Sequence, residues 1–120
     1  MDELSKIHCV PINSTSKQLS EVEITQLEKK LTGWLRYRKE DELRLEKSFK
    51  FKDFNQAMAF TILVAQEAEK EDHHPAILTE WANVTVTWWT HKVKGLHQND
   101  FIMAAKTDLL FVNELTNKKE

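Results

Sequence analysis

Apolar residues recur along this chain at two different periods, and the switches between them divide it into elements. Ile24, Leu27 and Leu31 fall at helical spacing behind Ser20, which has Glu23 three residues on, the pairing of a capping box. Gly33 is the expected stop, since glycine tolerates the left-handed conformation beyond a helix end. Trp34 to Arg38 reads as a short strand and Lys39 to Glu42 as a turn. Leu43, Leu45, Phe49 and Phe51 then share one parity, as a half-buried strand requires. Lys47 interrupts that parity, so a bulge or a strand end is expected there. These segments predict an antiparallel hairpin. Asp53 opens a second helix with Gln56 in the capping-box position, and Phe54, Ala57, Met58, Thr61, Val64, Ala65 and Ala68 form its predicted inner stripe. Pro75 biases His74 toward extended backbone, so this helix must end just before His73. A short strand around Ala76 to Thr79 is possible.

Residues 81 to 91 carry the strongest strand pattern. Val84, Val86, Trp88 and Thr90 alternate with Thr85, Thr87, Trp89 and His91, a β-branched and aromatic set suited to a pleated surface. A third helix is predicted from about Gln98 to Leu110, with Phe101, Ala104, Ala105 and Leu109 as its apolar stripe. The order implies an α+β fold, an antiparallel sheet with helices on one face. Residues 1 to 18 read as a flexible lead-in, 19 to 112 as the domain and 113 to 120 as a polar tail. No repeat or low-complexity run interrupts this plan.

Composition narrows the function classes. A length of 120 residues with 41% hydrophobic content suits one domain with a real core. A net charge of -2 argues against a dedicated nucleic-acid binder. Cys9 is the single cysteine, which excludes an intrachain disulfide and a multi-cysteine zinc site and suits a reducing compartment. The first residues lack a signal-peptide pattern, and no stretch approaches the length of a membrane span, so a cytoplasmic location is expected.

The candidate chemistry lies in Asp72-His73-His74-Pro75, Trp89-Thr90-His91 and Asp100. Histidine alone titrates near neutrality without perturbation, so it can give and take protons at cytosolic pH. His73 and His74 follow a helix end and precede a stiffening proline. A loop with two solvated histidines would carry the same signature. His91 ends a strand of buried-type residues, a rigid mounting for a reacting group, although a hydrogen-bonded histidine at a sheet edge is the plainer reading. Asp100 lies in the first turn of the third helix, where a carboxylate suits the helix dipole, with a second possible role in orienting a histidine. His97 occupies the position where a hydroxyl cap is preferred. Trp34, Trp81, Trp88 and Trp89 are first of all core or interface residues. A metal site is disfavoured, because adjacent histidines seldom converge on one ion and i, i+4 spacing is absent. Phosphate-loop and serine or cysteine nucleophile motifs are also missing.

The spaced set Glu71-Asp72-His73-His74-Pro75, Thr90-His91, Gly95-Leu96 and Asp100 resembles the signature of the pterin-4a-carbinolamine dehydratases. Phe49-Lys50-Phe51-Lys52-Asp53-Phe54, the segment Ala65-Gln66-Glu67-Ala68-Glu69, and Gly33-Trp34 extend the likeness over roughly residues 19 to 112. The resemblance implies a four-stranded antiparallel sheet with helices on one face, joined into homodimers or homotetramers. It implies removal of water from 4a-hydroxytetrahydropterin to give quinonoid dihydropterin, in pterin recycling linked to phenylalanine hydroxylase and its relatives, with no metal or organic cofactor. Carried over by position, His73, His74 and His91 form the catalytic cluster. Asp72, Pro75, Trp89, Thr90 and Lys92 join them around the substrate, and Asp100 supports. Ile77 and Trp81 replace a tryptophan and a tyrosine common in the family, so Trp81 is the expected aromatic substitute in the pocket. His97 replaces the usual hydroxyl cap. The competing roles are a dimerisation or coactivator protein, whose mark would be an apolar exposed face on the helix after Asp53, and a pterin role in molybdopterin metabolism. That face is expected to be polar, through Asn55, Gln56 and Glu67.

Overall fold

The computed structural model describes residues 2–118, with side chains from 4 to 113. Its elements are α1 (Asp2–Ser5), α2 (Glu21–Glu28), β1 (Leu35–Lys39), β2 (Glu42–Lys50), α3 (Phe54–Glu71), β3 (Ala76–Glu80), β4 (Asn83–Trp88), a 3₁₀ turn (His91–Val93) and α4 (Gln98–Lys118). The four strands form one antiparallel sheet in the order β1-β2-β4-β3. The expected α+β architecture is the one observed.

The core follows from strand parity. Leu45 pairs with Trp88 and Phe49 with Val84, and all four side chains are buried on the helix-facing side of the sheet. α3 closes that side with Ala57, Phe60, Val64 and Ala68, and α4 with Phe101, Ile102, Met103, Ala104 and Ala105. Phe49, Phe60 and Phe111 form a tilted aromatic cluster with ring centroids 5.0 to 5.8 Å apart.

Several boundaries differ from expectation, each for a local reason. β2 runs through Lys47 in unbroken register, with Lys47 opposite Val86. The lysine stays on the core side because its ammonium reaches out to Asp108 (2.8 Å) and the Thr32 carbonyl (2.9 Å), while its stem lies against Phe49 and Trp34. α2 has the predicted capping box at Ser20 and Glu23, but it stops at Glu28. Gly33 lies five residues further on, at φ +86° beside β1. That positive φ is one that glycine adopts without the strain a side chain would bring. α3 is capped by Asp53 accepting from the Gln56 N–H, whereas Gln56 reaches back to Lys52 N–H and is itself buried. The buried stripe of α3 is rotated from the predicted one: Phe54, Met58 and Ala65 face outward with Ile62. α4 continues past Leu110 to Lys118, so the predicted tail begins as helix.

The start of the lead-in touches the domain: Leu4 is 2% exposed and Lys106 donates to the Ser5 carbonyl.

Candidate active site

The site gathers where α3 ends, β4 ends and α4 begins. α3 terminates at Asp72, which takes the left-handed conformation (φ 54°, ψ 42°), and the His73 N–H closes onto the Ala68 carbonyl. That closure, with Pro75 two residues on, turns the chain and points His73 inward and His74 outward. His73 is 7% exposed, and its ring lies parallel to Trp88 at 6.0 Å between centroids. β4 ends at Trp88, not at His91. Thr90 then makes a bridge with Gly95, and the reversal between them forces His91 and Lys92 into the 3₁₀ turn. The expectation of a strand-end mounting for His91 is therefore corrected, because the Thr90–Gly95 bridge folds the chain back.

Asp100 is fully buried in the first turn of α4 and collects three donors. Its Oδ1 lies 2.7 Å from His73 Nε2, and its Oδ2 accepts from Thr90 Oγ1 at 2.8 Å and from the His97 N–H at 2.9 Å. The Asp100 carboxylate thus caps α4 and holds His73 at once. An ionised carboxylate only accepts, so Nε2 carries the proton and Nδ1 is the ring nitrogen left for a ligand. His97 completes the cap in an unusual way, its Nδ1 accepting the Asn99 N–H at 3.0 Å. Burial pushes the His97 ring below its ordinary value, aided by His73 and opposed by Asp100, which keeps it in the neutral form that an acceptor needs.

His74 and His91 stand in the open. His74 Nε2 is 2.9 Å from Glu69 Oε1. His91, with a side chain 83% exposed, has Nδ1 3.4 Å from Glu42 Oε2. Glu42 and Arg44 are nearly buried at the start of β2, and the Arg44 guanidinium sits 4.0 Å over the Trp89 ring.

His73, His74 and His91 line one cavity of about 490 Å³, together with Asp72, Trp89, Thr90 and Lys92. That volume falls within the range of small-molecule pockets. Pro75 shapes the loop without lining the cavity. Trp81 is 77% exposed beyond the far end of β3 and does not line it either, so its expected place around the ligand is corrected. The reason is geometric: β3 leads away from His74 for five residues before Trp81 is reached. Lining residues that sequence reasoning missed are Glu71 and the segment Cys9 to Ile12. Glu71 stands inside the quoted signature and could have been found. The lead-in carries no periodicity to mark it. Among the described residues, no group of three metal-ligating side chains is placed to hold an ion.

An α+β sheet here carries buried and exposed imidazoles around one small cavity, an arrangement with the volume and the titratable groups of a small-molecule site. The sequence matches the profile described as pterin 4 alpha carbinolamine dehydratase over residues 17–110, and the chain belongs to that family. It is 52% identical over 111 residues to a Microcystis aeruginosa (strain NIES-843 / IAM M-2473) protein named "Putative pterin-4-alpha-carbinolamine dehydratase", covering 92% of this chain and 96% of that one. Among solved structures it resembles the transcriptional coactivator/pterin dehydratase from Brucella melitensis, with TM-score 0.70 and 35% identity over 78% of this chain and 98% of that one. It also resembles a pterin dehydratase-like protein described as a RuBisCO assembly factor in the alpha-carboxysome, with TM-score 0.57 and 25% identity over 66% of this chain and 89% of that one.

Proposed function

We propose that this protein is a hydro-lyase that removes water from 4a-hydroxytetrahydropterin, giving quinonoid dihydropterin, in the recycling of tetrahydrobiopterin-type cofactors after aromatic amino-acid hydroxylation. The observation that carries the reading is the convergence of His73, His74 and His91 on one cavity, although His91 lies 17 positions after His74 in sequence. The substrate bears a hydroxyl and a ring nitrogen on one carbon. Hydroxide leaves poorly, so an acid protonates it and it departs as water. The nitrogen lone pair forms the new C=N bond, and a base takes the nitrogen's proton. Each positioned transfer contributes roughly 10²–10⁴-fold.

The Asp100 contact suits His73 to the base step, because the carboxylate fixes the tautomer and stabilises the imidazolium that forms. His91, open to the cavity, is the acid, and His74 holds the pterin. The test is stopped-flow dehydration of freshly generated 4a-hydroxytetrahydropterin with and without the protein. Near-wild-type rates in both His73→Ala and His91→Ala would refute the scheme. The expected cytoplasmic setting and homo-oligomeric state belong to the same proposal. Exposed Leu35 on edge strand β1 and Leu78 on edge strand β3 support sheet-to-sheet association, which light scattering on the purified protein tests.

A second reading has one observation in its favour. The outer face of α3 was expected to be polar, yet Gln56 is buried and Glu67 turns toward Lys106, leaving Phe54, Met58 and Ile62 exposed at 46%, 37% and 51%. An apolar row of this kind suits a helical partner. Loss of partner binding in Met58→Glu with dehydration intact would assign this face a role separate from the cavity.

A further inference from the structure

Resting on the dehydratase reading, we propose that residues 8–12 form a latched wall of the pterin pocket, that Glu71 and Asn99 are the positioning residues that hold it there, and that this wall sets how tightly the pterin is held rather than how fast it reacts. The segment precedes the residues matched by the family profile, which begin at 17. Cys9, Val10, Pro11 and Ile12 nonetheless line the same cavity as the three histidines.

The latch is specific. Asn99, 1% exposed in the first turn of α4, grips Val10 from both sides: its Oδ1 accepts the Val10 N–H at 3.0 Å and its Nδ2 donates to the Val10 carbonyl at 2.8 Å. Glu71, in the last turn of α3, accepts the Cys9 N–H at 2.8 Å on one oxygen and meets His8 Nδ1 at 2.7 Å with the other. Burial works to raise the Glu71 carboxyl, but the Cys9 amide, the His8 ring and nearby Lys106 outweigh it and hold the group below the ordinary carboxylate range. The wall is therefore gripped by a charged acceptor. Both holding residues belong to the elements that carry the reacting groups: Glu71 is two residues before His73, and Asn99 adjoins Asp100. Upstream, buried Leu4 and the Lys106 bond to Ser5 anchor the start of the segment on α4.

The latch also fixes what the wall can offer a ligand. The amides of Cys9 and Val10 and the Val10 carbonyl are already engaged, and Pro11 has no N–H. Burial, with Glu71 close by, pushes the Cys9 thiol up to about 12, so it stays neutral. What remains is mainly apolar surface from Val10, Pro11 and Ile12. Such a surface covers the flat face or an alkyl substituent of a pterin. Contacts of that kind hold ground state and transition state alike, so their loss raises KM and leaves kcat.

Val10 is 54% exposed, so Val10→Ser together with Ile12→Ser tests the wall with little demand on the fold, and Glu71→Ala, which removes both acceptor oxygens, tests the latch. Stopped-flow dehydration should show KM raised roughly 3–10-fold in each, with kcat within about twofold of wild type. Hydrogen exchange on the wild-type protein supplies a readout apart from activity: the Val10 and Ile12 amides should gain protection when a tetrahydropterin lacking the 4a-hydroxyl is added. Unchanged KM in the double variant, or no added protection while the same pterin binds, would overturn the wall. A wild-type protein that neither binds nor dehydrates pterin would overturn the dehydratase reading instead.

Discussion

Asp100→Asn separates the tautomer argument from every other role of this carboxylate. In the wild-type protein Oδ1 faces His73 Nε2, and Oδ2 faces Thr90 Oγ1 and the His97 N–H. The carboxamide is isosteric, and its orientation is decided by the His97 amide, a fixed donor that cannot tolerate an NH₂ opposite it. The asparagine oxygen must take the Oδ2 place, which turns its NH₂ toward His73. Nε2 must then accept, and the proton moves to Nδ1, the nitrogen proposed to face the substrate as base. All buried groups keep partners, so the stability cost is the charge-assisted part of the lost bonds, about 1–3 kcal/mol. The catalytic cost is the general-base contribution, roughly 10²–10⁴-fold in kcat, or about 2.7–5.4 kcal/mol of barrier. The analogous exchange in a serine-protease triad lowers kcat by about 10⁴ through the same tautomer switch. Stopped-flow dehydration gives kcat, urea unfolding gives stability, and nitrogen chemical shifts of His73 give the tautomer. A variant with kcat within threefold of wild type, or with Nε2 still protonated, would refute the reasoning.

Other predictions concern single groups elsewhere. His91→Ala should leave stability within about 0.5 kcal/mol, because the side chain is 83% exposed, while the dehydration rate falls by roughly 10² or more; melting curves beside stopped-flow traces check both. His97 is held below its ordinary value by burial, so the unfolded chain binds more protons than the folded one below about pH 6.5. Stability should therefore fall as pH drops through that range, and His97→Asn, which keeps an acceptor at the cap without titrating, should flatten that part of the profile in pH-dependent urea unfolding. Asp108→Ala leaves Lys47 and the Trp34 indole N–H without their shared partner, both in partly exposed surroundings, and should cost about 1–2 kcal/mol by thermal or urea unfolding.

The chain's own pattern determined where most elements lie and which residues are candidates for the chemistry. Alternation along residues 43 to 51 and 84 to 90 marks where β2 and β4 lie, because a pleated strand with one buried face has to alternate, although β4 stops at Trp88. Ser20, Asp53 and Pro75 marked helix ends, because caps and prolines act on the backbone beside them. His73, His74, His91 and Asp100 were legible as a spaced set. Folding alone decided the rest. Which way α3 faces, and so why Phe54, Met58 and Ile62 stay outside, depends on how it settles between the sheet and α4. Lys47 could hold a core position because Asp108 on α4 and the Thr32 carbonyl take up its ammonium. Trp81 lost its place at the pocket to the direction of β3, and residues 9 to 12 gained theirs from contacts spanning 62 to 90 positions. Local signals reach a few residues along the chain, whereas a pocket is made by groups that meet only when the layers pack.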